Sequence, residues 1–508
     1  MANEGRDTIQ SPLLVDHEQK RGTTAAWLSS ENKPSYLVTL LVSIGSVCVG
    51  YSLGFTSPAS EQLLVKNGSE AITHGYKMSL DQSHISWFGS AVFLGAFSGG
   101  LIGGPMAGYA GRKPSLMIGN LLFIIGWILI ACARSLASLI AGRVVIGLAV
   151  GISVLVNPIY LAEVVVPRLR GALTTTLQLT MSIGIVVSFA IGIDVSYRHM
   201  AVVGACISGL LAALLFFLPE TPRWYIRNGQ KEKGVKVLQW LRGTAHSPIH
   251  TEISEIELKL EEDAKAPTFS VLDFRLRRIF QPLAISIALM LFQVWSGSFA
   301  VTAYTAIIFN NAGLSNKATV VSIGVALVQS VVTAISLFII DRSGRRPLLM
   351  AAGAGMSLAC VVMSLFFFFS DRIHGDAAIA MPIFSIYFYT AAFSLGLGII
   401  PWLFMAEVFP ARAKSLLSSI SAGTNWLNAF LNTRYFAQLT ELMSNGGMFL
   451  FLAAVCLALV VFTYFAVPET KGKTLEQIED LFSSHSQQIH EHVLSSDSGC
   501  TGDLDEES

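Results

Sequence analysis

Gly111-Arg112-Lys113-Pro114 stands between two long apolar runs, and the same turn returns later in the chain as Gly344-Arg345-Arg346-Pro347. Leu161-Ala162-Glu163-Val164 likewise returns as Met405-Ala406-Glu407-Val408, and Pro219-Glu220-Thr221 as Pro468-Glu469-Thr470. Each pair holds the equivalent place after the second, fourth and sixth apolar run of its half. Three pairs in one order mean that this chain of 508 residues is built twice. A helix needs ~20 apolar residues to cross ~30 Å of hydrocarbon. On that measure the first half holds spans over roughly 36–57, 84–108, 114–133, 138–161, 171–193 and 199–218. The second half holds spans over roughly 281–310, 318–340, 347–369, 380–405, 414–436 and 447–467. The expected fold is an all-α membrane protein of twelve transmembrane helices in two six-helix halves, the parallel-repeat plan of secondary transporters. It divides into an N-terminal segment (1–35), a first half (36–219), a linker (220–280), a second half (281–467) and a tail (468–508).

Composition agrees with a lipid-facing surface. Apolar residues make up 52% and charged residues 13%, against ~25% charged in soluble domains, and mean hydropathy is +0.58. Lys+Arg and Asp+Glu each number 34, so no net charge draws the chain to nucleic acid. The cysteines show no CxxC spacing, and five of the six lie in apolar runs; they read as small packing residues rather than disulfides or metal ligands. Walker loops, HExxH and Gly-rich dinucleotide turns are absent from the sequence, so neither an enzyme nor a nucleotide-driven pump is expected, and no cofactor.

Lys and Arg cluster after even-numbered spans: Arg112-Lys113, Arg168 and Arg170, Arg342 with Arg345-Arg346, Arg412 and Lys414, and many in 220–280. Loops after odd spans carry few cations. By the positive-inside rule both termini and the linker are cytoplasmic. Residues 1–35 lack a signal peptide's basic start and cleavage site. Asn67-Gly68-Ser69 then falls in the first external loop as a glycosylation acceptor. Within the linker, 231–241 and 252–263 read as short amphipathic helices. Glycines 95, 99, 103, 104 and 108 give span two a face for close helix contact.

The basic turns can meet helix-end carbonyls or the carboxylates of neighbouring helix ends. Glu163 and Glu407 end spans four and ten. They are placed to pair with Arg170 and with Arg412 or Lys414 across the two halves, as a latch that breaks when the halves rock apart; the alternative is a local bridge fixing one loop. At membrane depth the sequence offers neutral groups: Gln178, Gln293, Gln329, Trp402, Asn425 and Asn428. Amides supply donors and acceptors and an indole face suits a sugar's C–H surface, so as a set spread over both halves they point to a small neutral polyhydroxylated solute; for each amide alone the alternative is interhelical packing. No Asp or Glu lies mid-span, which leaves a proton symporter without its titratable group.

The motifs as a set resemble the sugar-porter family of the major facilitator superfamily, and within it the insect facilitated trehalose transporters and facilitative glucose transporters. The resemblance covers about 36–482 and rests on Ser343-Gly344-Arg345-Arg346, Gly142-Arg143, Tyr160-Leu161-Ala162-Glu163 and Arg170-Gly171-Ala172-Leu173. It rests equally on Pro219-Glu220-Thr221-Pro222-Arg223-Trp224-Tyr225, Pro401-Trp402, Ala406-Glu407-Val408, Asn425-Trp426 and Pro468-Glu469-Thr470-Lys471-Gly472. It implies an alternating-access carrier of a hexose or trehalose, with sugar contacts at Gln178, Gln293 and Trp402. It further implies gate bridges among Glu163, Arg170, Arg223, Glu407 and Arg412/Lys414, with Asp341, Arg345 and Arg346 supporting the second half. Ser52 stands where the family's proton symporters carry Asp, which implies uniport.

Three departures bear on the solute. Span seven reads Gln293-Val294-Trp295-Ser296-Gly297-Ser298-Phe299, with Val294 and Phe299 at two positions where the family has sugar-binding amides. Each lost hydrogen bond is worth ~0.5–1.5 kcal/mol, enough for weaker binding or another polyol. Span ten reads Gly398-Ile399-Ile400-Pro401-Trp402, one kink proline short of the family's pattern, and the first-half basic turn, Tyr109-Ala110-Gly111-Arg112-Lys113, lacks the usual acid or amide. A sugar sensor on the same scaffold is the reading from another class; its expected mark is an extended tail, and 468–508 is short. Leu13-Leu14 has Ile9 where an endosomal dileucine carries an acid, so the plasma membrane is the expected location.

Overall fold

The computed structural model describes residues 33–64, 80–165, 167–242, 249–265, 271–313, 318–410 and 413–471, with 473, 477, 478 and 482. The first half comprises α1 (Lys33–Gly54), α2 (Thr56–Leu63), α3 (Gln82–Tyr109), α4 (Arg112–Ala131), α5 (Leu136–Val164), α6 (Pro167–Ile191) and α7 (Tyr197–Phe216). The linker folds as α8 (Pro222–Arg227), α9 (Lys231–Arg242) and α10 (Ile249–Lys265). The second half comprises α11 (Arg277–Trp295), α12 (Ser298–Asn311), α13 (Ala318–Ser343), α14 (Arg345–Phe368), α15 (Asp376–Leu395), α16 (Ile400–Val408) and α17 (Lys414–Ala466).

Ten helical segments among the described residues are long and apolar enough to cross a membrane. One of them, Leu416–Ala466, holds two spans, because Ser444 at φ 65 turns the chain back between them. Thr176–Ile191 is a shorter apolar helix. Twelve spans in two sixes result, in a multi-pass membrane protein. Three spans are extended or broken. The first continues past Gly54 through α2. The seventh breaks between α11 and α12, where Gly297 takes φ +97. The tenth breaks at 396–399, between α15 and α16.

Close packing follows from glycine, as the sequence suggested for span two. A Cβ on Gly95 would lie 2.1 Å from the Val144 carbonyl oxygen of α5, and one on Gly147 would lie 2.1 Å from that of Val92. Only backbone against backbone fits there. Gly99 and Gly103 continue this contact, whereas a Cβ on Gly108 would meet no described atom within 4 Å.

The two halves meet along α3 against α17, α6 against α13, and α2 against α12. Ile185 and Phe189 of α6 pack on Ala326 of α13. The Ala306 amide donates to Ser57 Oγ (3.3 Å), and Asn310 Nδ2 donates to Glu61 Oε1 (3.2 Å). The Arg434 guanidinium lies 4.9 Å over the Trp87 ring. These last contacts all lie toward the face opposite the Gly-Arg turns, so the halves are sealed against each other on that side.

Candidate functional site

The basic turns build two matching cradles. Gly111 at φ +108 and Gly344 at φ +90 start α4 and α14, a backbone conformation that favours glycine. Space demands it too, since a Cβ would sit 2.4 Å from Glu220 Oε2 or 2.7 Å from Glu469 Oε2. Those carboxylates cap the free N–H groups of the helix starts, where the helix dipole favours negative charge. Glu220 accepts from the Lys113 (3.0 Å) and Thr221 (2.8 Å) amides. Glu469 accepts from Arg345 (3.0 Å), Arg346 (3.0 Å) and Lys471 (2.9 Å).

Arg112 Nη2 donates to Glu163 Oε1 (2.8 Å), while Thr221 Oγ1 donates to Glu163 Oε2 (2.6 Å). The second half repeats this with Arg345 Nη2 to Glu407 Oε1 (2.9 Å) and Thr470 Oγ1 to Glu407 Oε2 (2.7 Å). In this state Glu163 and Glu407 are bound by Arg112 and Arg345 of their own halves, the local bridge that stands as the alternative to a latch with Arg170 and with Arg412 or Lys414 across the halves. The reason is position: each arginine opens the helix that starts beside its glutamate, and the Pro-Glu-Thr stretch returns from span six or twelve to complete the shell. Lys414 donates to the Ala406 carbonyl of its own half. Arg346 donates to the Tyr464 carbonyl and lies over that ring. Arg223 lies in α8. Arg412, Asn67 and the side chains of Arg170 and Asp341 lie outside the described residues.

The cradles differ electrostatically. Burial pushes the Glu220 carboxyl above its ordinary value, against the pull of its N–H donors and Arg112. For Glu469 burial acts in the same direction, but three backbone donors and the Arg345 charge outweigh it and hold the carboxyl below its ordinary value.

At mid-depth the amides fall into two groups. Gln293 is buried; its Nε2 donates to the carbonyls of Leu397 (2.8 Å) and Gly398 (3.4 Å), and its Oε1 accepts from Asn425 Nδ2 (2.8 Å). These carbonyls are freed by the break in span ten, so Gln293 and Asn425 hold that break together. Asn428 accepts from Trp295 Nε1 (3.1 Å). Gln178 on α6 and Gln329 on α13 are half-buried, and their side chains make no hydrogen bond among the described residues.

Trp402 is also half-buried and belongs to an aromatic cluster that joins the halves. Phe93 of α3 stacks on Trp426 (centroids 6.2 Å, 19°) and meets Phe299 edge-on (5.3 Å); Trp402 lies 6.2 Å from Trp426. Phe299, the departure in span seven, is thus a wall of the central seam. Val294 is buried in the core instead.

Sequence reasoning missed Arg143 as a functional group. It is wholly buried, donating to the carbonyls of Ser52 (2.9 Å) and Phe88 (3.3 Å) and to Thr56 Oγ1. Its guanidinium lies 5.9 Å from the Phe55 ring and 5.3 Å from that of Phe88. An arginine inside a 29-residue apolar helix was the available signal. Thr221 and Thr470 were visible only as part of the repeat.

Two six-helix halves, broken seventh and tenth spans and mirrored charge cradles define a major facilitator-type membrane protein. The profile described as sugar (and other) transporter matches residues 38–482. The chain belongs to that family. A facilitated trehalose transporter of Anopheles gambiae is 36% identical over 87% of this chain, which spans only about half (55%) of that relative's length. A sugar transporter ERD6-like 6 of Arabidopsis thaliana is 36% identical over 87% of this chain and 89% of its own length. The xylose transporter XylE of E. coli, in a partially occluded inward-open conformation, superposes with a TM-score of 0.72 over 87% of this chain and all of its own, at 22% identity.

Proposed function

We propose that the chain is a facilitative carrier that moves a hexose or trehalose across a membrane by alternating access. The observations that carry this are an aromatic wall from both halves and, on α6 and α13, which meet across the halves, the amides of Gln178 and Gln329, engaged by no described residue. Trp402 supplies the stacking surface, and Gln178 and Gln329 the hydrogen bonds. Gln293 and Asn425 meet solute through their remaining faces while holding the span-ten break. The names of the relatives, trehalose and sugar transporters, agree with this solute class.

Transport is uniport. Among the described residues Arg143 faces the Ser52 carbonyl and a threonine hydroxyl rather than a carboxylate, which supports the reading that no mid-span acid serves a proton. The Gly-Arg turns, linker and both termini lie on the cytoplasmic side, and the seal between the halves is external, which makes the observed state inward-facing. The cradles around Glu163 and Glu407, with Arg112, Arg223, Arg345 and Arg346, hold each half rigid as it rocks; Arg170, Asp341, Arg412 and Lys414 complete the cytoplasmic gate in the outward-facing state. The carrier resides in the plasma membrane, with Asn67 glycosylated outside. A second reading, transport of a less hydroxylated polyol, is favoured by Phe299 standing in the aromatic wall.

The test is uptake of radiolabelled glucose and trehalose into proteoliposomes, with and without a proton gradient. Saturable uptake indifferent to the gradient is expected. Accumulation driven by protons refutes uniport, and uptake of neither sugar shifts the solute to another polyol.

A further inference from the structure

Asn432 is wholly buried in α17, and neither its amide nitrogen nor its amide oxygen has a hydrogen-bond partner among the described residues. It lies seven residues beyond Asn425, hence on the same face of the helix and two turns nearer the sealed side. That face is turned toward span seven, since Asn425 bonds Gln293 and the Met290 carbonyl there. α12 covers the neighbouring positions of that stretch: Tyr304 donates to the Thr433 carbonyl (3.2 Å) and stacks on Phe436 (centroids 6.1 Å). The cover is attached at two irregular points, Gly297 (φ +97) and Tyr304 (φ −121, ψ 19). Tyr304 also closes onto the first half, 2.7 Å from where a Cβ on Gly89 would stand.

An amide buried without partners in a lipid-embedded bundle is costly, and the cost is offset only in a state that supplies partners. We propose that Asn432 is a solute contact of the outward-facing state, covered by α12 in the inward-facing state and meeting sugar hydroxyls when α12 moves away. This rests on the carrier reading above and adds a residue to the same pathway. Asn432 sits above the Gln293–Asn425 pair, so an incoming solute meets it first. Its two atoms can donate to and accept from vicinal hydroxyls at once.

The test uses the full chain in proteoliposomes or cells, with Asn432→Cys compared with Leu439→Cys, two further turns toward the outside. A membrane-impermeant thiol reagent is applied from each side, with and without the sugar that wild type carries. Expected is labelling of position 432 from outside only, slowed by saturating sugar at least fivefold more than at position 439. Absence of labelling from outside, or equal slowing at both positions, overturns the proposal; equal slowing shows that sugar only shifts the conformational balance. If Asn432→Cys is not recovered folded, radical footprinting of the unmodified chain reads Phe436, one turn above on the same face. Its oxidation must fall several-fold with sugar, and an unchanged value overturns the proposal. A wild-type chain that transports no sugar or polyol fails the carrier reading itself, and this one with it.

Discussion

Glu163→Gln removes the charge from a pair whose side chains are each 10% exposed. Unit charges about 4 Å apart attract by about 4 kcal/mol at an effective dielectric near 20, and desolvation of two nearly buried ions offsets much of that. A hydrogen bond to a charged group contributes about 1.5–3 kcal/mol net. The expected coupling between Glu163 and Arg112 is therefore about 2 kcal/mol. The single Glu163→Gln variant costs somewhat more, because Arg112 is left buried opposite a neutral amide. The equivalent pair, Arg345 with Glu407, is 11% and 22% exposed, so water screens it more and its coupling should be nearer 1 kcal/mol. The assay is a double-mutant cycle, Glu163→Gln with Arg112→Gln, followed by reversible unfolding in mixed detergent micelles. A second cycle pairs Glu163→Gln with Arg412→Gln. Coupling to Arg112 below about 0.5 kcal/mol, the level at which independent sites add, together with larger coupling to Arg412, refutes the assignment of Glu163 to its own half.

Gln178→Leu should abolish or sharply weaken saturable uptake with little change in thermal stability, since its amide is engaged by no described residue. Gln293→Leu should lower stability by about 2–3 kcal/mol, because it strands the Leu397 and Gly398 carbonyls; uptake assays beside thermal unfolding separate the two. Gly147→Val must push α5 from α3 by more than an ångström, given 2.1 Å from its Cβ to a backbone oxygen. A loss of about 3 kcal/mol or failure to fold is expected, read as monodisperse yield. For the capping acids the signs oppose. Glu469, held low, contributes stability that is present above the ordinary carboxylate value and lost as pH falls through its lower folded value. Glu220, pushed up, costs stability while ionised, and that cost disappears as pH falls through its raised folded value. Glu469→Gln should therefore destabilise at pH 7 more than Glu220→Gln does; the reverse order in melting temperature contradicts the pKa directions.

The membrane class, the twelve spans, the doubled plan and the family were all legible in the order of the residues. These rest on local quantities: apolar run length, glycine spacing and motifs repeated in order. Because lipid demands that backbone groups be satisfied within each helix, a run of about twenty apolar residues has few alternatives. The same reasoning singled out a set of ionic and amide residues, and the fold shows what they bond in this state. Glu163 is only seven residues from Arg170 but far along the chain from Arg112, and only the fold brings α4 beside the end of α5. Gln293 reads as a free amide until the break at 396–399 places two orphan carbonyls beside it. Arg143, Phe299 and Asn432 acquire meaning only through burial, since the packing of the helices around them decides whether a polar or aromatic group faces a neighbour, the central seam or nothing at all.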